Sequence, residues 1–92
     1  MKIVKLNRRF KQFKDARHTV ALRFNNWNKK AQTVETICKD RLGSNGWDRL
    51  GQWCGYFGAA NGRNQFRPYW ITFRNEKDLT LVLLSADLTQ NN

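Results

Sequence analysis

The segment PYWITFRNEKDLTLVLLS, residues 68–85, has the clearest pattern in the chain and decides the fold that the sequence predicts. Tyr69, Ile71 and Phe73 alternate with residues of a second face, as in a β-strand, and Pro68 suits the first position of such a strand. The polar tetrapeptide NEKD suits a hairpin loop around a type I turn, and LTLVLLS then returns as a second strand. The segment therefore predicts a C-terminal β-hairpin.

Two further elements are predicted upstream of this hairpin. HTVALRF, residues 18–24, alternates apolar and polar positions and indicates a strand with one buried face. NNWNKKAQTVETICKDRLG, residues 25–43, places apolar residues at helical spacing, with Asn25 or Asn26 as N-cap and Gly43 after the last turn. It predicts an amphipathic helix of about four turns. The apolar positions are Trp27, Ala31, Val34, Ile37 or Cys38, and Leu42.

The segment 43–62 carries all six glycines of the chain. Because Gly disfavours a helix interior by about 1 kcal/mol relative to Ala, a long helix is not expected here. We expect a short turn at WDRLG, a strand around QWCGYF (residues 52–57), and a loop at ANGRNQFRP. The predicted order is β-α-β-β-β. The fold class is therefore α+β, with one amphipathic helix packed on a small, mostly antiparallel sheet and a basic N-terminal segment.

The length of 92 residues predicts a single domain, with a basic segment at 1–17, an α+β core at 18–85 and a polar tail at 86–92. No stretch has the apolar run of a signal peptide or a membrane span, so we expect a cytoplasmic protein. Cys38 and Cys54 do not make a disulfide framework, and we expect both to be free thiols in a reducing compartment.

Positive charge is concentrated at one end of the chain. The formal net charge is +10, and residues 1–30 contribute +9 of it from ten Lys or Arg and one Asp. Residues 31–60 sum to zero and residues 61–92 to +1. This distribution is typical of a protein that contacts phosphates, whereas the alternative is a solvated charge that only prevents association.

The opening stretch MKIVKLNRRFKQFKDAR, residues 1–17, allows two backbone conformations. As a helix it would have a narrow apolar stripe, and as a strand KIVKL would be followed by a basic loop. A helix lying on a membrane surface is disfavoured because the stripe is so narrow. Phe10 and Phe13 either stack on bases or belong to the core.

The predicted hairpin ITFRNEKDLTLVLL, the helix before it and the Trp- and Gly-rich WDRLGQWCGYFG resemble small accessory proteins of tailed bacteriophages. The resemblance covers roughly residues 34–84 and excludes the basic opening. It implies a phage product acting on host machinery, in the host cytoplasm. It implies no catalytic residues.

Enzymatic chemistry is not indicated. His18 is the only histidine, and with two cysteines it cannot complete a structural zinc tetrad. The acids are scattered, and Cys54 with His18 is not a nucleophile–base motif. GSNG at 43–46 lacks the basic residues of a KH loop, and CGYFGAAN lacks the order of an RNP1 motif. We therefore predict no catalytic residues, no metal site and no cofactor, and we expect most sheet aromatics to lie in the core.

The sequence predicts a non-enzymatic protein that binds DNA or RNA, with low sequence specificity, through its basic N-terminal third. An alternative is a phage-encoded inhibitor that binds a host defence or transcription complex, either a protein or a ribonucleoprotein. The oligomeric state stays open. The predicted nucleic-acid-binding residues are Lys5, Arg8, Arg9, Lys11, Lys14, Arg17, Arg23, Lys29 and Lys30. The aromatics predicted for a protein interface are Trp47, Trp53, Phe66 and Trp70.

Overall fold

The computed structural model describes residues 1–43, 52–58 and 67–90, and in these ranges it contains four strands and three helices. The α+β class is confirmed, although three helices replace the one that was predicted. The elements are β1 (Lys2–Lys5), α1 (Lys11–Ala16), β2 (Val20–Phe24), α2 (Lys29–Leu42), β3 (Trp53–Phe57), β4 (Tyr69–Phe73) and α3 (Glu76–Gln90).

The strands form one antiparallel sheet in the order β1-β2-β4-β3. β4 is paired on both sides, with Phe73 opposite Val20 of β2 and opposite Trp53 of β3. The edge strand next to β2 is β1, where Lys2 lies opposite Arg23. The opening of the chain therefore begins as a strand, stabilised by pairing with the strand that was predicted at 18–24.

The prediction of a C-terminal hairpin was wrong, because LTLVLLS belongs to α3. The Asn75 side chain accepts a hydrogen bond of 3.0 Å from the backbone N–H of Asp78, so NEKD is the beginning of a helix. Leu79, Val82 and Ala86 are buried at helical spacing, and the helix continues into the predicted polar tail as far as Gln90. A nearly continuous apolar run satisfies both the period of a strand and that of a helix, so the alternation was not decisive.

The main core lies between one face of the sheet and the helices α2 and α3. Strand residues such as Leu22, Ile71 and Phe73 are fully buried there against Val34 and Val82 of the two helices. Cys38 on α2 and Cys54 on β3 are buried free thiols, whereas the reducing compartment stays a prediction.

The other face of the sheet is covered by α1 and the residues next to it. His18 is completely buried, and its Nδ1 is hydrogen-bonded to Oγ1 of Thr72 at 2.6 Å. α1 ends at Arg17, which adopts a left-handed conformation with φ of 58° and donates its N–H to the carbonyl of Gln12. Leu6 and Gln12 are also buried. The basic segment is therefore a folded layer on the sheet.

Candidate nucleic-acid interface

The predicted cations are divided between the two sides of the sheet. The turn after β1 and the short helix α1 carry most of them, all exposed, on the side opposite α2 and α3. Lys5 pairs with the core residue Val20, so its side chain points to the helix side instead. Lys29 and Lys30 begin α2 and are exposed there. The cations of the turn and α1, hereafter the α1 face, are Arg8, Arg9, Lys11, Lys14 and Arg17.

A row of four residues crosses the sheet under this layer. Lys2, Arg23, Trp70 and Tyr56 lie opposite one another on neighbouring strands, so their side chains share one face of the sheet. The Arg23 guanidinium lies 5.9 Å from the centroid of the Trp70 ring, within cation–π range. This cross-strand row places two cations beside two half-buried aromatic rings.

Phe10 anchors the basic segment to the row. Its ring centroid is 5.7 Å from that of Trp70, and both Phe10 and Phe13 are half-buried. This packing favours the core interpretation of Phe10 over base stacking. Gly58 makes room for Trp70, because a Cβ atom at Gly58 would lie 2.8 Å from the indole Nε1.

A second aromatic cluster lies at the same end of the sheet, on the helix side. The Tyr69 ring centroid is 4.4 Å from that of Trp27 and 5.0 Å from that of Phe57. The Arg67 guanidinium lies 5.9 Å from the centroid of the Phe57 ring. Tyr69 donates its hydroxyl hydrogen to the Glu35 carboxylate. Burial, this hydrogen bond and the Glu35 charge all raise the pKa of Tyr69, so the phenol stays neutral. We call Trp27, Phe57, Tyr69 and Arg67 the Trp27 cluster.

Sequence reasoning missed this cluster because it placed Trp27 on the apolar face of the helix and expected most sheet aromatics to lie in the core. Trp27 matched the apolar spacing of the helix, yet the N-cap is Asn28, whose side chain accepts from the N–H of Ala31, so Trp27 precedes the helix. Phe57 is the last residue of β3 and is exposed at the strand end. The sequence signal that could have placed Trp27 before the helix is Asn28, which is as suitable an N-cap as Asn25 or Asn26.

The predicted interface aromatics occupy different environments. Trp53 is fully buried in the main core, and its Nε1 donates to the carbonyl of Gly43 at 2.9 Å, so it is not available to a partner. Trp70 is half-buried in the cross-strand row. Trp47 and Phe66 lie outside the described residues.

Both thiols and the histidine are buried. Burial raises the pKa of Cys54 to about 11, and burial with the nearby Glu35 and Asp78 carboxylates raises that of Cys38 to about 12. Both therefore stay protonated at neutral pH, where a thiol is a poor nucleophile. His18 is engaged with Thr72 inside the fold.

An apolar groove of about 410 Å³ lies between β1, α2 and α3. Its lining includes Ile3, Val34, Leu83, Leu84 and the basic Lys30. Leu84 and Leu81 are among the exposed large apolar residues, so α3 carries apolar side chains on more than its buried face.

Comparison of the chain with protein-family models, with curated proteins and with solved structures finds no match. The resemblance to tailed-phage proteins therefore stays a prediction. Over residues 1–43, 52–58 and 67–90, no helix has the length and apolarity needed to cross a bilayer.

Proposed function

We propose that the protein is a small, non-enzymatic nucleic-acid-binding protein that grips phosphates with the α1 face. The observation that carries this proposal is the folded basic layer, in which exposed cations of the turn and α1 lie on the same side of the sheet as Lys2 and Arg23 of the cross-strand row. Because Phe10 packs on Trp70, the cations are held on a fixed surface, which lowers the entropy lost on binding. In keeping with the phage resemblance, we place its action in the host cytoplasm.

Low sequence specificity is part of the proposal. The side chains of the α1 face are long, exposed and distributed over a turn and a short helix. Contacts from such cations to phosphates position a protein on nucleic acid but carry no sequence information. Base-specific readout needs side chains directed at base edges in a defined geometry.

The experiment is a fluorescence-anisotropy titration with DNA and RNA oligonucleotides at several salt concentrations. For five phosphate contacts on a duplex, the logarithm of the affinity should fall with the logarithm of the salt concentration with a slope of about −4.5. Replacing Arg8, Arg9, Lys11 and Lys14 by Ala should remove up to about 3.6 of that slope. Wild-type affinity that does not depend on salt would contradict the proposal.

We propose that the protein is not an enzyme, because of the burial of its only histidine and its two cysteines. His18, Cys38 and Cys54 are buried, and both thiols have raised pKa values. A nucleophile needs an accessible, low-pKa thiolate or an accessible hydroxyl beside a base. His18 does lie beside the Thr72 hydroxyl, but both residues are fully buried, so a substrate does not reach them. We accordingly propose no cofactor.

A second candidate function, binding to an acidic host protein, is favoured by the apolar groove beside α3. We commit to an amphipathic acidic helix as the occupant, because the apolar lining is accompanied by Lys30 and the chain carries a net charge of +10. Leu84→Asp would place a carboxylate in the groove. The wild type should retain a host protein from nuclease-treated lysate, and that protein should bind again after purification. Its loss with Leu84→Asp supports this function. Equal binding by both forms contradicts it.

A further inference from the structure

The Trp27 cluster leaves two large aromatic rings in contact with solvent. Trp27 is 39% exposed and Phe57 is 47% exposed, and their ring centroids are 6.1 Å apart. Both pack against Tyr69, which is itself buried. The sequence predicted Trp27 on the apolar face of the helix and most sheet aromatics, Phe57 among them, in the core.

Tyr69 packs against both exposed rings and is itself fixed by a hydrogen bond. Its hydroxyl is bonded to Glu35, which also forms a salt bridge of 3.3 Å with Lys39. Gly55 permits this position, because a Cβ atom there would lie 3.2 Å from Cζ of Tyr69. The exposed rings of Trp27 and Phe57 are therefore fixed before any ligand arrives, and a rigid aromatic surface binds with little entropy loss.

One cation contacts these rings and a second is close to them in sequence. The Arg67 guanidinium lies over Phe57, and Lys29 follows Trp27 by two residues and is exposed in the first turn of α2. Aromatic rings flanked by Lys and Arg are the combination by which single-strand-binding proteins hold nucleic acid, with bases on the rings and phosphates on the cations.

The cluster also lies beside the cross-strand row. Arg23, Trp70 and Tyr56 belong to the row, and the next residues at the same strand ends are Phe24, Tyr69 and Phe57. Consecutive residues of a strand point to opposite faces, so the two aromatic groups occupy opposite faces of one end of the sheet. The rings of the cluster and Arg23 of the row therefore lie at the same end of the sheet.

We infer that Trp27 and Phe57 form a base-stacking site and that the ligand is single-stranded nucleic acid. This inference rests on the proposed function and adds the class of substrate to it. Bases in a duplex are stacked on one another and have no free face for Trp27 or Phe57. A duplex therefore contacts only the cations, whereas a single strand uses both cations and rings.

The test compares a single-stranded oligonucleotide with a duplex of the same sequence, using wild type, Trp27→Ala and Phe57→Ala. Each variant should bind the single strand about 5- to 140-fold more weakly and the duplex within about twofold of wild type. The salt slope should be unchanged in both aromatic variants. Arg67→Gln should reduce the single-strand slope by about 0.7, the value for one phosphate contact.

Leu81→Ala is the matched control, because Leu81 is an exposed apolar side chain of α3 that belongs to neither the Trp27 cluster nor the lining of the apolar groove, and this change should leave both affinities unchanged. Trp27→Phe and Phe57→Leu keep apolar volume and serve if an alanine variant does not melt cooperatively. Trp27→Phe keeps a ring and should retain most of the single-strand affinity, whereas Phe57→Leu loses the ring and should not.

The outcomes distinguish a failure of the proposed function from a failure of the stacking site. Wild type that binds neither oligonucleotide overturns the proposed function. Wild type that binds both, with single-strand affinity unaltered by the loss of Trp27 and Phe57 rings, overturns the stacking site and leaves phosphate binding in place. Equal weakening on single strand and duplex also overturns the stacking site, since a duplex presents no base faces.

Discussion

Replacing Gly55 by Ala should destabilise the protein and release the aromatic cluster. Gly55 lies in β3 opposite Ile71 of β4, and its missing side chain leaves the space that the Tyr69 phenol occupies. A Cβ atom there would overlap the Tyr69 hydroxyl and approach the Trp53 ring to 3.4 Å. The phenol cannot simply move away, because Trp27 and Phe57 pack against it.

The expected magnitude combines two effects. Overpacking of a well-packed site typically lowers the free energy of unfolding by about 1–3 kcal/mol. Displacing the Tyr69 hydroxyl from the Glu35 carboxylate adds the loss of a hydrogen bond to a charged group, about 1.5–3 kcal/mol. The two losses share one displacement and do not add in full. We expect Gly55→Ala to lower the free energy of unfolding by about 2–4 kcal/mol.

The assay is urea unfolding followed by tryptophan fluorescence, in a double-mutant cycle with Tyr69→Phe. Removing the hydroxyl removes the closest clash, so Gly55→Ala should cost about 1 kcal/mol or less when Tyr69→Phe is already present. Gly43→Ala is a control at a glycine with open space around it, although its φ of 93° adds backbone strain. A loss below about 0.5 kcal/mol for Gly55→Ala, or an equal loss with and without Tyr69→Phe, would refute the packing described for Tyr69.

Two further predictions concern α3 and the thiols. Because the Asn75 side chain caps α3, Asn75→Ala should lower the free energy of unfolding by about 1 kcal/mol, whereas Asn75→Asp should not. Urea titrations that show no difference between these two variants would contradict the cap. Cys38 and Cys54 have folded pKa values of about 12 and 11, above the ordinary 9.0, so thiols of the unfolded chain lose their protons first as the pH rises. Between pH 8 and pH 10 the free energy of unfolding of the wild type should therefore fall by about 1 kcal/mol for each cysteine, relative to the Cys38→Ala/Cys54→Ala double variant. Parallel pH profiles for the two proteins would contradict this prediction.

The strand at 18–24 and the helix after it could be predicted because each has a strong pattern of its own period. β2 covers Val20–Phe24, and α2 covers Lys29–Leu42 within the predicted range. Their apolar positions alternate or recur so regularly that only one element fits.

The third helix could not be predicted because strand order is not a local property. β4 has β2 on one side and β3 on the other, so no free edge remains for a strand returning from a hairpin at NEKD. β2 lies about fifty residues from β4 along the chain, since Val20 pairs with Phe73. A polar tetrapeptide after a strand begins a hairpin return or a helix equally well, and here this long-range pairing excludes the hairpin.

Only part of the candidate site could be predicted, again because the rest depends on long-range packing. The concentration of cations in residues 1–17 is visible in the sequence, but their separation from Lys29 and Lys30 depends on which face α2 covers. Trp53 and Phe57 lie in the same short strand on the same face, yet Trp53 is buried and Phe57 exposed. Trp53 belongs to the main core and donates to the carbonyl of Gly43, ten residues earlier in the chain, and a local pattern does not predict such a contact.

The α1 face is tested most directly by two variants of equal charge change. Arg8→Ala/Arg9→Ala removes two exposed cations from the turn before α1, and Arg41→Ala/Lys77→Ala removes two from helices on the opposite side of the sheet. Affinity for one oligonucleotide at fixed salt should fall at least about tenfold for the first pair and less than about threefold for the second. Equal losses would mean that only net charge matters, and they would contradict a binding surface on the α1 face.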